Sequence, residues 1–373
     1  MKEIQDILAR TDRFSPGEAA ILTTVVSVEG SSYRLPGARM LITPEGQTFG
    51  TVSGGCLESD VLERAKRVLA SGKPSVFRYD TTGNESSVFS LNMGCRGIVR
   101  ILLEPITKDS PVIWVLRRVD TERQSHVIAT LLDGDDDQTG GRIVCSESGE
   151  FTVENVSPDL PVTGAVREDC RRLLRTGDGY QFKTYKAEDT DFEFSYETLR
   201  PAVALMIFGA GADACPLAEI AHNLGWQASI ADHRPAYLTG ERFPNARTLH
   251  LQSAEDASVP FEPDPMTAAV IMTHNYARDR EILSAMLKTD AFYIGALGPK
   301  RRTGQLLSEL RERGESIDAE ALSRLFAPIG LDIGADTPEA IAVSVAAEIQ
   351  SVLRGRRGGH LRERNAPIYD RRA

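Results

Sequence analysis

Short apolar, β-branched runs dominate the first hundred positions. From Ala20 the chain reads AILTTVVSV, then ARMLIT, a Pro-Glu-Gly turn at residues 44–46, and QTFGTVS. Runs of this length bounded by turn residues predict strand, strand, tight turn, strand. The period then changes. In ESDVLERAKRVLA, residues 58–70, Val61, Leu62, Ala65, Val68 and Leu69 fall on one helical face, and Gly72 is placed to stop the helix. SVFRYD and GIVRILLEP return to the strand pattern.

The same order of signals recurs about a hundred residues later. SHVIATLLDG resembles the first strand, GRIVCSESGE resembles ARMLITPEGQ with its turn, REDCRRLLRTG resembles the helix ending at Gly72, and YQFKTYKAED resembles SVFRYDTTG. Gly37 to Gly72 spans 35 residues and Gly141 to Gly177 spans 36. The pattern predicts a duplicated α+β unit. Only the first copy has SGGC before its helix; the second has VSPDLPVTG, which points to a function confined to the first.

After YETLRP the texture changes again. AVALMIFGAGADACPLAEIAHNLGWQASIADHR is an apolar strand, a glycine turn, a helix with Leu217, Ile220, Ala221 and Leu224 on one face, and a second strand ending at Asp232. Buried apolar strands alternating with helices imply a parallel, doubly wound sheet. AAVIMTH, DREILSAMLKT, FYIGALG and RRTGQLLSELRER continue the alternation. TPEAIAVSVAAEIQSVL closes it, with Thr337 as N-cap and Pro338 in the first helical position. The fold class is therefore α/β: a C-terminal Rossmann-like parallel sheet with helices on both faces, after an N-terminal α+β region that is internally duplicated. The expected domains are residues 1–105, 106–197 and 198–353, followed by a basic tail at 354–373.

Composition narrows the function classes. A chain of 373 residues exceeds what one core usually organises. The N-terminus, MKEIQDILARTDRF, lacks the apolar core of a signal peptide, and no run is long enough to span a membrane, so a cytoplasmic location is expected. A net charge of -10 disfavours nucleic acid and anionic membranes. The tail from Arg354 holds seven arginines and reads as a solvated extension. Five widely spaced cysteines form neither a disulfide framework nor a zinc-type cluster.

The candidate chemistry lies in two places. Gly209-x-Gly211-x-x-Ala214 follows a strand and opens a helix, with Asp232 23 positions past Gly209, which is the dinucleotide fingerprint in its required context. The first glycine permits the turn, the second admits a pyrophosphate, and Asp232 is placed to accept from a ribose hydroxyl. Asp213 brings a negative charge near the expected phosphates, which weakens a plain NAD reading. His274 and Gly295 lie at later strand ends, where ligands of parallel sheets bind. Cys56 precedes a helix N-terminus, where amides favour a thiolate able to act as nucleophile or soft-metal ligand, and Gly54 and Gly55 open the backbone beside it. Cys95, in NMGCRGI, sits in a similarly open loop; Cys145, Cys170 and Cys215 suit packing.

GSSYRLPGARMLITPEGQTFGTVSGGCLESDVLERA, MGCRGIVRILLEP, FGAGADACPLAEIAHNLGWQASIADHR, MTHNYARDREIL and YIGALGPKRR together resemble the xanthine dehydrogenase accessory factor family, XdhC/CoxI. The resemblance implies a chaperone without turnover of its own. Such a chaperone binds molybdenum cofactor, supports its sulfuration with a cysteine desulfurase, and delivers it to a molybdenum hydroxylase. The implied site is Gly54, Gly55, Cys56 and Glu58, joined by Cys95, Gly209, Gly211 and Asp232, with Cys56 a candidate molybdenum contact. The cofactor would be molybdopterin or its cytosine dinucleotide form, and a homodimer is the expected assembly. Two positions depart from many relatives: Ala212 stands where they have His, and Arg96 where they have Gly. The alternative is an NAD(P)-dependent oxidoreductase using Cys56 or Cys95 for redox chemistry and His274 for proton movement.

Overall fold

A computed structural model describes residues 1–80, 97–134, 136–253, 262–366 and 368 of the chain. It divides into two compact units, one built on residues 3–201 and one on residues 202–370 with Met1 and Lys2.

The first unit opens with α1 (Lys2–Thr11). Strands β1 (Ala20–Gly30), β2 (Arg39–Ile42), β3 (Thr48–Gly50), β4 (Ser75–Asp80) and β5 (Gly97–Ile106) form an antiparallel sheet in the order β3-β2-β1-β5-β4. Helix α2 (Glu58–Ser71) packs on it through Val61, Ala65 and Val68, against Ile21, Met40, Ile101 and Leu103. Its apolar spacing of three and four residues supplies that stripe, and Gly72 ends the helix with its amide on the Val68 carbonyl at 3.0 Å. After α3 (Pro111–Glu122) come β6 (His126–Asp133), β7 (Arg142–Ser146), β8 (Phe151–Glu154), α4 (Thr163–Thr176), β9 (Tyr180–Ala187) and β10 (Thr190–Leu199). The second sheet runs β8-β7-β6-β10-β9, the same order as the first. Cys145 of β7 and Cys170 of α4 are buried in the core between sheet and helix, and burial pushes both thiols up.

The second unit is a parallel sheet of six strands, β11 (Ala204–Phe208), β12 (Gln227–Asp232), β13 (Thr248–Leu251), β14 (Thr267–Ile271), β15 (Tyr293–Ala296) and β16 (Leu325–Phe326). Its helices are α5 (Ala214–Asn223), α6 (Tyr276–Leu287), α7 (Lys300–Glu312), α8 (Ala319–Ser323) and α9 (Pro338–Leu353). Alternation along β11 sends Leu205 and Ile207 to a core with α5 and α9, and Met206 and Phe208 to a core with α6 and α7. Both faces are therefore covered, and the strand is apolar throughout. The order β13-β12-β11-β14-β15-β16 reverses direction between β11 and β14, so their carboxyl ends flank the crevice where parallel sheets bind ligands. One expectation is corrected here: Leu224 is exposed, because α5 ends at Asn223 and its buried stripe is Ala214, Leu217, Ala218 and Ala221. Thr337 caps α9 as expected, accepting from the Ala340 amide at 3.2 Å. Among the described residues no helix is long and apolar enough to cross a membrane.

Candidate functional site

Residues 51–57 link β3 to α2, and one carboxylate organises them. Glu58 Oε1 accepts from Thr51 Oγ1 at 2.7 Å and from the Ser53 amide at 2.9 Å; Oε2 accepts from the Gly55 amide at 3.0 Å and from Ser53 Oγ. The Leu57 amide goes to Ser53 Oγ at 3.1 Å. Burial alone would raise the Glu58 carboxyl, yet the bonds from Ser53 and Thr51 hold it below the usual carboxylate range. The Ser53 and Gly55 amides beside Cys56 are thus turned to the Glu58 carboxylate, a stronger acceptor than sulfur, and the Leu57 amide to Ser53 Oγ. Cys56 itself is exposed, with Sγ 3.8 Å from Ser53 Oγ.

The two glycines before it serve different ends. Gly55 has φ +103, a conformation other residues rarely adopt, and open space where a side chain would stand. Gly54 lies under the ring of Tyr33, which is within 3.3 Å of where a Cβ would be. Cys95 lies outside the described residues. Gly97, two positions after it, packs against the Ser31 backbone, two residues from Tyr33. Gly54 and Gly97 therefore both pack on the segment of residues 29–33.

In the second unit the glycine turn is built by close packing. A Cβ on Gly209 would stand 2.4 Å from the Met272 carbonyl oxygen at the end of β14, and its φ is +114. Gly211 is open, its nearest neighbour being His274 Nε2 at 3.9 Å from a virtual Cβ. Ala214 is buried in the first turn of α5. His274, with φ 59, brings Nε2 to 3.5 Å from Asp213 Oδ2, so Asp213 stands at the N-cap position of α5 but pairs with a histidine rather than capping.

Asp232 is buried and turned inward. Its Oδ2 accepts from the Ala210 amide at 2.6 Å and Arg234 Nη2 at 2.8 Å; Oδ1 accepts from the Arg234 amide at 2.8 Å and Nε at 3.0 Å. Burial opposes the charge, but these donors hold the carboxyl far below the usual range. Three residues not singled out from the sequence complete this edge. Arg234 lies over the Tyr237 ring at 4.2 Å and Arg242 at 4.9 Å, and Arg242 Nη2 donates to the Gly211 carbonyl at 3.3 Å. Arg234, two positions past the acid, was legible as a neighbour of the fingerprint; Arg242 carries no local signal. Gly295 is different: a Cβ there would strike Ile329 at 2.3 Å, so packing inside β15 accounts for it. The structure gathers Gly209, Gly211, Ala214, Asp232 and His274 at one turn, and Gly54, Gly55, Cys56 and Glu58 at one loop. The two groups belong to different units. Among the described residues no group of three or more His, Cys, Asp or Glu is arranged to hold a metal.

The model of the XdhC Rossmann domain matches residues 205–349, and that of the XdhC and CoxI family matches residues 14–80. A protein of Bacillus subtilis (strain 168), named as a probable xanthine dehydrogenase subunit, is 32% identical over 332 residues, 89% of this chain and 92% of that one. The chain belongs to the XdhC/CoxI family. A second relative, the molybdenum cofactor insertion chaperone PaoD of Escherichia coli (strain K12), is 27% identical over 336 residues, 90% of this chain and 84% of PaoD. A crystal structure described as a xanthine dehydrogenase from Bacillus halodurans aligns with TM-score 0.73 at 30% identity, over 96% of this chain and 97% of that one. The XdhC/CoxI match contains the Cys56 loop, and the XdhC Rossmann match contains the glycine turn with Asp232 and His274.

Proposed function

We propose that this XdhC/CoxI protein is a molybdenum cofactor insertion chaperone for a xanthine dehydrogenase-type hydroxylase. It binds the cofactor, supports its sulfuration by a cysteine desulfurase, and hands it on. The observation carrying this reading is the exposed thiol of Cys56 on a loop whose Ser53, Gly55 and Leu57 amides are already committed to Glu58 and Ser53. That leaves sulfur as the outward-facing functional group of the loop, suited to a soft metal or a transferable sulfur atom.

Two places carry chemistry that suits parts of such a ligand, each within its own unit. Gly55 presents open space beside Cys56, and Gly211 presents open space at the N-terminus of α5, where backbone donors attract phosphate. When bound, the cofactor supplies the metal centre and its exchangeable sulfur ligand. Within the first unit Glu58 fixes the loop and Cys56 offers a contact for the reactive end; within the second, Gly211 with Arg242 suits a phosphate. Asp232 is less suited to a ribose, since both of its oxygens already accept from Ala210 and Arg234. This weighs against the NAD-type oxidoreductase. The test is to isolate wild type and Cys56→Ala together with cofactor and to measure retained molybdenum and pterin. The expected result is retention by wild type and a loss of about tenfold or more in the variant, the scale of one strong ligand contact; equal or absent retention in both removes the reading.

A further inference from the structure

The two sheets of residues 3–201 correspond residue by residue. Thr24 faces Arg39 on one side and Leu102 on the other, and Thr130 faces Arg142 and Ser195 in the same way. Both central ladders shift register at the same place, between Val25 and Ser27 in β1 and between Glu193 and Phe194 in β10. On this register Arg39 is equivalent to Arg142, Glu104 to Glu197, Val26 to Leu132, and Arg100 to Glu193.

Equivalent residues make the same bonds to opposite halves. Arg39 gives Nη1 to the Gly37 carbonyl at 3.0 Å and to Glu197 Oε1 in the second sheet at 2.9 Å. Arg142 gives Nη1 to the Gly140 carbonyl at 2.9 Å and Nη2 to Glu104 Oε1 in the first sheet at 2.5 Å. All four side chains belong to buried residues. An arginine of each half bonded to a glutamate of the other is the reciprocity of a two-fold contact, in which residue i meets j and j meets i. A residue on such an axis meets its own equivalent. Arg100 and Glu193 do so, Nη1 to Oε2 at 2.5 Å, and Val26 packs with its equivalent Leu132 and with Leu102 beside them.

We propose that residues 3–201 are a fused two-fold dimer, in which the second half is the built-in partner of the first and the ligand loop is kept in the first alone. In a true homodimer the Arg100 position would set like charge against like; fusion allowed the two copies to become arginine and glutamate independently. The halves differ where the site lies. The helices α2 and α4 each have 14 residues, but α2 begins at Glu58, which gathers the loop, whereas α4 begins at Thr163, whose buried Oγ1 has no partner among the described residues. Residues 81–96 join β4 to β5, while only Glu188 and Asp189 join β9 to β10.

Hydrogen–deuterium exchange on the full chain, resolved by peptide, tests this. Arg142→Gln leaves Glu104 buried and unpaired and should speed exchange on the order of a hundredfold in β1 and β5 as well as in β6 and β10. Arg39→Gln should do the same to both sheets. Exchange rising only in the sheet that carries the substitution overturns the proposal. Arg100→Glu sets two glutamates on the axis and should open both halves; adding Glu193→Arg should restore wild-type protection to within about threefold, as expected for an exchanged pair. Should the single variants not fold, the paired exchanges Arg39→Glu with Glu197→Arg and Arg100→Glu with Glu193→Arg decide the matter. Failure of either to recover wild-type protection also overturns it.

Discussion

Two carboxylates act at the level of single residues. Glu58 converts a glycine-rich loop into a defined one by collecting donors from Thr51, Ser53 and Gly55. Its folded-state pKa lies below the usual value, so its contribution to stability is present above the unfolded pKa of about 4.3 and is lost as pH falls through the folded value. Glu58→Gln should cost about 1 kcal/mol at pH 7, after discounting for its partial exposure. The gap in melting temperature from wild type should close below about pH 4. Persistence of the full gap at pH 3 would show that charge is not what fixes the loop. Asp232 follows the same sign: its carboxyl is depressed, so its stabilisation is complete above about pH 4 and lost below. Asp232→Ala leaves the Ala210 amide and Arg234 without their acceptor and should cost about 1–3 kcal/mol by urea unfolding.

At the scale of elements, the β11–α5 turn separates structure from function. Gly209→Ala should destabilise by at least about 2 kcal/mol, since a Cβ would meet the Met272 carbonyl and the backbone φ of +114 disfavours any side chain. Gly211→Ala meets nothing closer than His274 at 3.9 Å and should change stability by less than about 0.5 kcal/mol. If the turn receives phosphate, Gly211→Ala lowers cofactor retention while the melting temperature stays put; parallel loss of both would assign Gly211 to packing. The elements themselves were legible in the chain. α2 follows from its 3.6-residue spacing, α4 from its likeness to α2, and β11 and β14 from short unbroken apolar runs, because all of these are properties of neighbouring residues. Leu224 misled because one residue past a helix end still satisfies the spacing while standing outside the core.

At the scale of the whole molecule, the Cys56 loop occurs in one of two equivalent halves, so the chain should hold one molybdenum cofactor, not two. Metal analysis of loaded protein should approach one molybdenum per chain, and Cys145→Ala or Cys170→Ala should leave that ratio unchanged, since both thiols are packed in a core. A ratio near two would contradict a single-site module. The sequence by itself determined the elements that carry the motifs, the doubling of the α+β pattern, the glycine fingerprint and the position of an open thiol, all of which are patterns of residues close together in the chain. Tertiary structure alone decided where the carboxylates point. Asp232 reaches back to the turn, and Arg39 meets Glu197 across 158 positions. Such pairings arise when sheets stack and buried charges must find partners, and nothing in local periodicity encodes which partner that will be.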